Sequence, residues 1–404
     1  MRILHTADWH LGKRLDFFSR LAEQQQVLVE ICQIAEQEQV DMVLIAGDLY
    51  DNFNPSNEAS ELLYKTLKKL ARGGKVPVVA IAGNHDSPDR VNVADVLAKE
   101  NGILFIGNPN DEIGIYSIEN GFSLVRSAPG FIELILPKLA YPVRLLHTAF
   151  ANEIRLKECF GDDKQIALHE SLSKKWQLLA DEYCDNSGVN LLTTHLYMLS
   201  RGGAILEEPD GEKPLNIGNA DLVYADAIPK QIQYAALGHL HRFQNVGQQQ
   251  PAIYSSAILQ YSFSEAGQEK YVSIIDVEPN EPAKWRKIAL QEGKKLHRES
   301  FDEVETAINW LSNHPDTLVE LTLVSENFLK AEDRKRIYQT HSGIIHLIPR
   351  LKKQEQQADA EEIKINLDRS IDDLFVDYFK SKNEGQLPNA DIMSLFKEIL
   401  ASRN

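Results

Sequence analysis

Short apolar runs alternate with helical periodicity through the first half of the chain. Val40–Ala46 (VDMVLIA) and Val76–Ala82 (VPVVAIA) are almost continuously apolar, as strands covered on both faces usually are. Between them a leucine stripe with helical spacing follows Asn54-Pro55, which is suited to begin a helix, and Gly73-Gly74 is suited to end it. A strand, a helix and a further strand in this order predict a parallel sheet with crossover helices.

The same pattern predicts further strands along residues 1–280. A helix is predicted at Arg20–Gln39, where apolar residues recur at helical spacing. The predicted strands are Arg2–Ala7, Val40–Ala46, Val76–Ala82, Val189–Thr194, Tyr234–Leu237, Ala252–Tyr254 and Lys270–Asp276. We therefore predict an α/β domain at residues 1–280.

The pattern changes after residue 280. Residues 281–350 are predicted to form a small α+β domain, with helices at Phe301–Ser312 and Lys330–Thr340 and a capping box formed by Ser300 and Glu303. Residues 351–404 are predicted to hold a charged linker and a pair of C-terminal helices. Their apolar stripes are Ile371, Leu374, Phe375, Tyr378 and Phe379, then Ile392, Leu395, Phe396, Ile399 and Leu400. Helices this short must dock on the body of the protein or on a partner.

Charge limits the functions that fit. The chain has 404 residues and a formal net charge of -16, which opposes unaided binding to a phosphate backbone. Divalent cations or a basic partner protein would have to supply positive charge. There is no run of about 18 apolar residues and no signal-peptide pattern, so we predict a cytoplasmic protein that does not enter a membrane.

Polar residues that can bind metal follow five of the predicted strands. They are Asp8 and His10, Asp48, Asn84 and His85, His195, and His239 and His241. The carboxyl ends of strands in an open α/β sheet are where ligands collect. Alternate residues of an extended segment point the same way, so Asp8 and His10 are expected to approach one ion together if the backbone there remains extended.

These residue types suit phosphodiester hydrolysis. The reaction needs an activated water, neutralised charge on the phosphate and a stabilised leaving oxygen, and two divalent ions about 3.5–4 Å apart can provide all three. Asp48, alone in its motif, is suited to bridge the ions. Imidazole, carboxylate and one amide favour manganese, iron or zinc over calcium. Gly83 permits a tight turn, and Asp86 is expected to orient His85.

At these residues the sequence resembles the calcineurin-like metallophosphoesterases, and more closely the SbcD family of nuclease subunits. The segments that carry the resemblance are His5–Gly12, Ala46–Asp51, Ala82–Ser87, Thr193–Tyr197, Ala236–Arg242 and Ser262–Val272. The resemblance implies a β-sandwich flanked by helices, with the small α+β domain as a capping domain. It also implies two divalent metal ions, most simply Mn²⁺.

The resemblance assigns roles to the candidate residues. One ion would be held by Asp8, His10, Asp48 and His241, and the second by Asp48, Asn84, His195 and His239. His85 would be the catalytic residue, acting on the substrate as an imidazolium. The family usually has a glycine and a proline in the loop where this chain has Ser255-Ser256-Ala257, and Phe131–Arg155 matches the family poorly, so no role is predicted there.

A partner and a substrate are also implied by the resemblance. SbcD-like subunits work with SbcC, an ATPase with a long coiled coil, as a homodimer within a heterotetramer that cuts DNA ends and hairpins in repair, replication and recombination. The tail anchors would be Phe375, Phe379, Phe396 and Leu400, although these helices could instead cover their own domain. Candidate phosphate contacts are Lys13, Arg14, Arg20, Arg90, Arg201 and Arg242, for each of which a solvated loop charge is the simpler interpretation.

Two other functions fit parts of the pattern. A phosphatase or cyclic-nucleotide phosphodiesterase could use the same metal ligands on a small substrate. An inactive scaffold could keep the fold only to hold a partner, but such proteins lose ligands, and this chain has a full set. The leading hypothesis is a metal-dependent DNA exonuclease and endonuclease.

Overall fold

The structure is a computed structural model. It describes residues 1–92, 95–159, 164–202, 222–325 and 329–351, and a few positions near the C-terminus, namely 374–376, 378–379, 387–388, 392–393 and 396. The chain divides into two compact units, Met1–Leu351 and Lys352–Asn404. No described helix is long and apolar enough to cross a membrane.

The strands of the first unit are β1 (Arg2–Thr6), β2 (Arg14–Leu15), β3 (Phe18–Ser19), β4 (Met42–Ala46), β5 (Val78–Ile81), β6 (Ile103–Ile106), β7 (Tyr116–Ser117), β8 (Ser123–Ala128), β9 (Phe131–Ile135), β10 (Val143–Thr148), β11 (Val189–His195), β12 (Tyr197–Leu199), β13 (Leu222–Tyr224), β14 (Tyr234–Gly238), β15 (Gln244–Asn245), β16 (Ala252–Tyr254), β17 (Tyr271–Asp276), β18 (Lys284–Ala289), β19 (Lys295–Phe301), β20 (Thr317–Ser325) and β21 (Ile344–Leu351). Its helices are α1 (Leu21–Gln37), α2 (Asn57–Ala71), α3 (Pro88–Asn92), α4 (Asp95–Glu100), α5 (Glu153–Leu156), α6 (Lys164–Tyr183), α7 (Val304–Asn313) and α8 (Ala331–Thr340).

Two large sheets form the main body. The first has the order β18-β17-β1-β4-β5-β6, and β1, β4, β5 and β6 run parallel. The second has the order β15-β16-β14-β11-β10-β9-β8-β7, with β16, β14, β11 and β10 parallel. β18 lies beyond the predicted boundary at residue 280 but pairs with β17, so the first sheet continues to Ala289.

Alternation along the strands divides the apolar residues between two cores. Leu145 of β10 and Leu191 of β11 belong to the cluster that also contains the residues of the first sheet, whereas the next residues, Leu146 and Leu192, pack with α6. Successive side chains on a strand point to opposite faces, so one face of the second sheet meets the first sheet and the other meets α6. The body is therefore the β-sandwich flanked by helices that the sequence predicted.

A three-stranded sheet and two helices form the small α+β part. β20 pairs in parallel with both β19 and β21, and its buried residues form a cluster with α7 and α8. A separate apolar seam joins this part to the main body, where Leu15 and Phe263 meet Leu296 and Leu318. The small part is thus packed on the β2–β3 hairpin and on the loop after β16.

Two predicted helix starts are wrong. α2 begins after Ser56, whose side-chain oxygen accepts a hydrogen bond from the Ala59 backbone N–H at 3.2 Å, and not at Asn54-Pro55. α7 begins after Glu303 without a side-chain cap, because Ser300 lies in β19 and cannot form the predicted capping box. In both cases the extended chain continues further than local preference suggested.

The second unit is described at only a few positions. The Phe375 ring stacks on the Phe396 ring with a centroid distance of 3.9 Å and an interplanar angle of 9°, and Phe379 lies 6.1 Å from Phe375. Part of the apolar stripe is therefore used inside this unit. The predicted linker Lys352–Asp368 and the anchor Leu400 lie outside the described residues.

Candidate metal centre

The metal-binding candidates follow the carboxyl ends of parallel strands in both sheets. β1 leads to Asp8 and His10, β4 to Asp48, β5 to Asn84 and His85, β11 ends in His195, and β14 leads to His239 and His241. Backbone bonds join the loops after β1 and β4, since the Asp8 N–H donates to the Gly47 carbonyl at 3.0 Å and the His10 N–H to the Asp48 carbonyl at 2.9 Å. The seven predicted ligands and His85 thus collect at one edge of the sandwich.

The loops do not stay extended at this edge. Asp8, His10 and Asp48 have φ values of 53°, 44° and 48°, in the left-handed region, and His239 has a φ of 110°. The condition under which Asp8 and His10 were expected to approach one ion together, an extended backbone, is therefore not met at these two residues. The two side chains nevertheless come together, on left-handed and not on extended backbone.

One group of side chains contains Asp8, His10 and His241. One ligand atom from each lies within 4.8 Å of the others. The His10 Nε2 atom lies 3.0 Å from His241 Nε2 and 3.6 Å from Asp48 Oδ2. The structure thus brings together the four side chains predicted for the first ion.

A second group of side chains meets around the Asn84 amide oxygen. The Asn84 Oδ1 atom lies 2.9 Å from His195 Nε2 and 3.0 Å from His239 Nδ1. His195 Nε2 also lies 3.3 Å from Asp48 Oδ2. The same Asp48 oxygen therefore faces ring nitrogens of both groups, as a bridging carboxylate would.

The donor atoms fit divalent metal ions. Asp8 Oδ2 is buried and has no hydrogen-bond partner within the described part of the chain. A buried carboxylate oxygen without a donor is costly, and a cation would remove that cost. Imidazole nitrogens at 3.0 Å from each other in the first group also converge on one point, as ligands of one ion do.

Burial and neighbouring charges shift the pKa values of the carboxylates in opposite directions. The pKa of Asp8 is raised to about 6, mainly by burial and in part by the charge of Asp48, while His195 and His241 act to lower it. Burial also acts to raise the pKa of Asp48, but His195 and His10 outweigh it and hold that pKa well below its ordinary value. Asp48 is therefore the carboxylate that the surrounding imidazoles stabilise most in its charged form.

His85 is oriented differently from the prediction. Its Nδ1 atom lies 2.7 Å from the backbone carbonyl of Asp51, to which the ring N–H donates. Asp86 instead accepts hydrogen bonds at 2.9 Å from the backbone N–H groups of Leu49, Tyr50 and Gly83. The predicted role of Asp86 in orienting His85 is wrong, because its carboxylate fixes the backbone of two ligand loops.

A buried acid beside His241 was not predicted as a site residue. The Glu265 Oε1 atom lies 3.3 Å from His241 Nδ1, and the Lys270 ammonium donates both to the other Glu265 oxygen and to the His241 carbonyl. A carboxylate on the second ring nitrogen fixes the tautomer and orientation of a metal-binding histidine. Both residues lie in Ser262–Val272, so the resemblance contained the signal.

Ser256 and Arg20 are two further residues that the sequence singled out. Ser256 has a φ of 80° where the family has glycine, and its hydroxyl accepts a hydrogen bond from the Tyr271 N–H at 2.9 Å. Arg20, considered as a phosphate contact, is fully buried and paired with Glu23 at 2.8 Å. That candidate is wrong, because the guanidinium faces the interior of the protein.

Comparisons with known proteins show which family the chain belongs to. The calcineurin-like phosphoesterase family matches residues 1–243. A Bacillus subtilis (strain 168) protein, described as the SbcD subunit of the nuclease SbcCD, is 35% identical over 408 residues, covering 99% of this chain and 97% of that protein. The chain belongs to the calcineurin-like phosphoesterases, in the SbcD family. A Staphylococcus epidermidis protein of the same description is 33% identical over 70% of this chain and 67% of its own length.

Membership of the SbcD family confirms the predicted fold class and enzyme class. The chain is a metal-dependent phosphodiester hydrolase of the calcineurin-like type, and the sequence resemblance was correct. A solved structure of a Thermus thermophilus protein is 12% identical with a TM-score of 0.36 over 72% of this chain and 99% of its own, a likeness too weak to support an inference.

Proposed function

We propose that the chain is the nuclease subunit of an SbcCD-like complex, which hydrolyses DNA phosphodiester bonds at double-strand ends and in hairpins. The observation that carries the proposal is Asp48 Oδ2, which faces His10 Nε2 at 3.6 Å and His195 Nε2 at 3.3 Å. A carboxylate between two groups of imidazoles suits a two-metal phosphoesterase centre. DNA repair, replication and recombination are the processes that use such an activity.

The proposed ligand sets follow the two groups. Asp8, His10, Asp48 and His241 would hold one ion, and Asp48, Asn84, His195 and His239 the other, with Mn²⁺ as the preferred ion. When bound, the ions would supply positive charge against the phosphate and lower the pKa of water. The chain's part is to fix the ligands, and the short contacts around Asn84 and His195 support this role.

His85 is proposed to act on the substrate. Its Nδ1 atom is held by the Asp51 carbonyl, so Nε2 is the ring nitrogen that would face a phosphate or a leaving oxygen. The His85 ring meets the His10 ring edge to face with centroids 4.8 Å apart, which places it beside the first group of ligands. From there it would donate a proton to the leaving oxygen.

DNA is proposed as the substrate together with a partner that helps to hold it. A net charge of -16 weakens unaided binding to DNA. The relatives' description names a subunit of a complex, SbcCD. We propose that an SbcC-like ATPase with a coiled coil binds the tail helices, and that the assembly is a heterotetramer with two copies of this chain.

The decisive experiment is digestion of a DNA hairpin by the full chain with Mn²⁺, with and without a co-purified large ATPase. Bis(p-nitrophenyl) phosphate and a cyclic nucleotide are assayed beside it. Mn²⁺-dependent cleavage of the hairpin supports the proposal. Rapid turnover of the small esters with the hairpin intact would instead favour a small-molecule phosphodiesterase.

Replacing His85 separates chemistry from metal binding. His85→Ala is expected to retain both Mn²⁺ ions, because no ligand is lost, and to reduce cleavage by about 10²-fold or more. His169→Ala, on α6 and outside the site, is the matched control and keeps wild-type cleavage. Full cleavage by His85→Ala would overturn the proposed role of His85.

A further inference from the structure

One arginine joins the turn that carries Asn84 and His85 to the helix that follows β10 of the second sheet. Arg155 lies in this helix, α5, in the segment that matches the family poorly. Its Nη1 atom donates to the Gly83 carbonyl at 2.9 Å, and its Nη2 atom donates to the Asp86 carbonyl at 2.8 Å. The guanidinium therefore spans the turn from the residue before Asn84 to the residue after His85.

The position of Arg155 is itself fixed. The Asn152 side chain caps α5 by accepting the Arg155 backbone N–H at 2.9 Å. The guanidinium lies over the Phe150 ring, 5.1 Å from its centroid, and the Phe150 N–H donates to the Ala82 carbonyl at 2.9 Å. A planar fork held by a helix cap and an aromatic face loses little freedom on binding two carbonyls.

Phe150 extends this contact to the ligands of the second group. Its ring is nearly parallel to the His239 ring, at an angle of 27° and a centroid distance of 6.4 Å. It meets the His195 ring nearly edge to face, at 72° and also 6.4 Å. The arginine and the phenylalanine together therefore border Asn84, His195 and His239, the residues of the second group.

The charge of Arg155 favours a role in geometry over one in stability alone. Within the described part of the chain no carboxylate pairs with it, and burial lowers its pKa, opposed by the nearby charges of Asp86 and Asp48. Arg155 is half-buried, and partly desolvating a guanidinium without a carboxylate partner has a cost that an apolar side chain packed here would not have. An apolar residue, however, could not donate hydrogen bonds to the Gly83 and Asp86 carbonyls of the turn.

We propose that Arg155 is a positioning residue, which holds the Gly83–Asp86 turn so that Asn84 reaches the second metal ion and His85 reaches the substrate. This inference rests on the proposed function, from which the roles of Asn84 and His85 are taken. On the inner side the turn is bound to a metal ligand, since the His85 N–H donates to Asp48 Oδ1 at 2.9 Å. Arg155 supplies the outer anchor, which does not depend on bound metal.

The test compares Arg155→Met and Arg155→Lys in the full chain. Arg155→Met keeps the length of the side chain and removes both donors, and Arg155→Lys keeps the charge without the fork. Arg144→Met is the matched control, because Arg144 is a buried arginine of β10 bonded to Glu133 at 2.9 Å and lies at the opposite end of that strand from the site. Mn²⁺ binding isotherms, kcat and KM on a DNA hairpin, and thermal melting are measured for each.

The clamp that Arg155 forms on the turn predicts a specific combination of changes. Arg155→Met should weaken the weaker-bound Mn²⁺ by about tenfold and lower kcat by about tenfold or more, with KM for DNA changed less than about twofold. Arg155→Lys should fall between Arg155→Met and wild type. Arg144→Met should melt at a lower temperature and keep Mn²⁺ affinity and kcat.

Three results would overturn the clamp. The first is wild-type kcat and Mn²⁺ affinity in Arg155→Met. The second is a raised KM with unchanged kcat and Mn²⁺ binding, which would make Arg155 a phosphate contact. Where Arg155→Met does not fold, full activity and Mn²⁺ affinity in Arg155→Lys is the third.

The Asn84→Ala variant distinguishes an error in the role of Arg155 from an error in the proposed function. Unchanged Mn²⁺ binding in Asn84→Ala contradicts the ligand set itself. Weakened Mn²⁺ binding in Asn84→Ala together with wild-type behaviour in Arg155→Met contradicts the clamp alone.

Discussion

Several residues around the candidate metal centre have left-handed backbone conformations. Asp8, His10 and Asp48 hold positive φ values with full side chains, at a cost of order 1 kcal/mol or more for each. Such strain persists where the surroundings fix the conformation, and here hydrogen bonds between the loops after β1 and β4 do so. Gly47, the residue directly before Asp48, has both a positive φ of 92° and no room for a side chain.

Gly47→Ala is expected to abolish phosphoesterase activity. A Cβ at Gly47 would lie 2.2 Å from His195 Nδ1, so the imidazole or the loop must move. Gly73→Ala is the matched control, because Gly73 also has a positive φ, of 66°, but a Cβ there meets nothing within 4 Å. Both variants should lose about 1 kcal/mol of stability from the backbone. Equal activity of the two variants would contradict a tight fit around His195.

Glu265, the acid beside His241, is expected to strengthen metal binding. Glu265 is fully buried, and burial acts against its charge, but Lys270 and His241 outweigh this and lower its pKa to about 2. Glu265→Gln keeps the shape and removes the charge that holds His241 Nδ1–H. We expect the affinity for one Mn²⁺ to fall by about tenfold in calorimetric titrations.

Glu133→Gln is the control for the Glu265 prediction. Glu133 is also buried and also paired with a base, Arg144, at 2.9 Å, but it lies on β9 away from the ligands. The Glu133→Gln variant should have a lower melting temperature and bind Mn²⁺ as wild type does. The same Mn²⁺ affinity in both variants would show that Glu265 contributes only to stability.

At the scale of elements, α2 has its N-cap at Ser56. The Ser56 hydroxyl accepts the Ala59 N–H, and the strand-like backbone at Ser56, with a ψ of 161°, sets the direction in which the chain enters the helix. Ser56→Ala should reduce the free energy of unfolding by about 1 kcal/mol in urea titrations. Asn54→Ala, at the start predicted from sequence, should change it by less than about 0.5 kcal/mol. A larger loss for Asn54→Ala than for Ser56→Ala would contradict the cap at Ser56.

Some strands and helices could be predicted from the sequence, and others could not. Buried parallel strands such as β4 and β5 were predicted because every residue in them is apolar and their ends carry polar ligands. The edge strands β7 and β15, of two residues each, have no such signal. Ser300 formed a local capping pattern, but strand pairing with β20 determined its conformation.

The residues of the candidate site also differ in whether the sequence could predict their roles. The candidate ligands could be singled out because each follows an apolar strand in a short motif. Arg155 was not, since its partners are the backbone carbonyls of Gly83 and Asp86, and main-chain acceptors leave no trace in a sequence. Asp86 was misassigned to His85 for the same reason, because its own partners are three backbone N–H groups.

At the scale of the first unit, the small α+β part and the main body are joined close to the metal-binding loops. Phe263 of the joining seam is two residues from Glu265, and Leu15 is five residues from His10. Beside the seam, His346 of β21 contacts the Asp16 carboxylate at the tip of the β2–β3 hairpin. The seam therefore adjoins the loop that carries His10 and the segment that carries Glu265, the neighbour of His241.

The His346 contact predicts a pH-dependent stability. Burial acts to lower the pKa of His346, but the carboxylates of Glu320, 2.9 Å from Nδ1, and of Asp16 outweigh it and raise that pKa. A raised folded-state pKa means that the imidazolium stabilises the fold fully below about pH 6.5, and that this stability is lost as the pH rises through the raised value. The side chain is 36% exposed, so solvent screening keeps the effect below about 1 kcal/mol.

Melting temperatures of wild type and His346→Gln therefore should converge as the pH rises. At about pH 6 the variant is expected to melt lower than wild type, and at about pH 9 the gap should narrow, because wild type has lost its imidazolium. His314→Gln is the control, since the His314 ring donates to the Trp310 carbonyl and not to a carboxylate. A gap that is constant with pH, or one that widens, would mean that His346 stabilises the junction by packing against Phe263 and not by its charge.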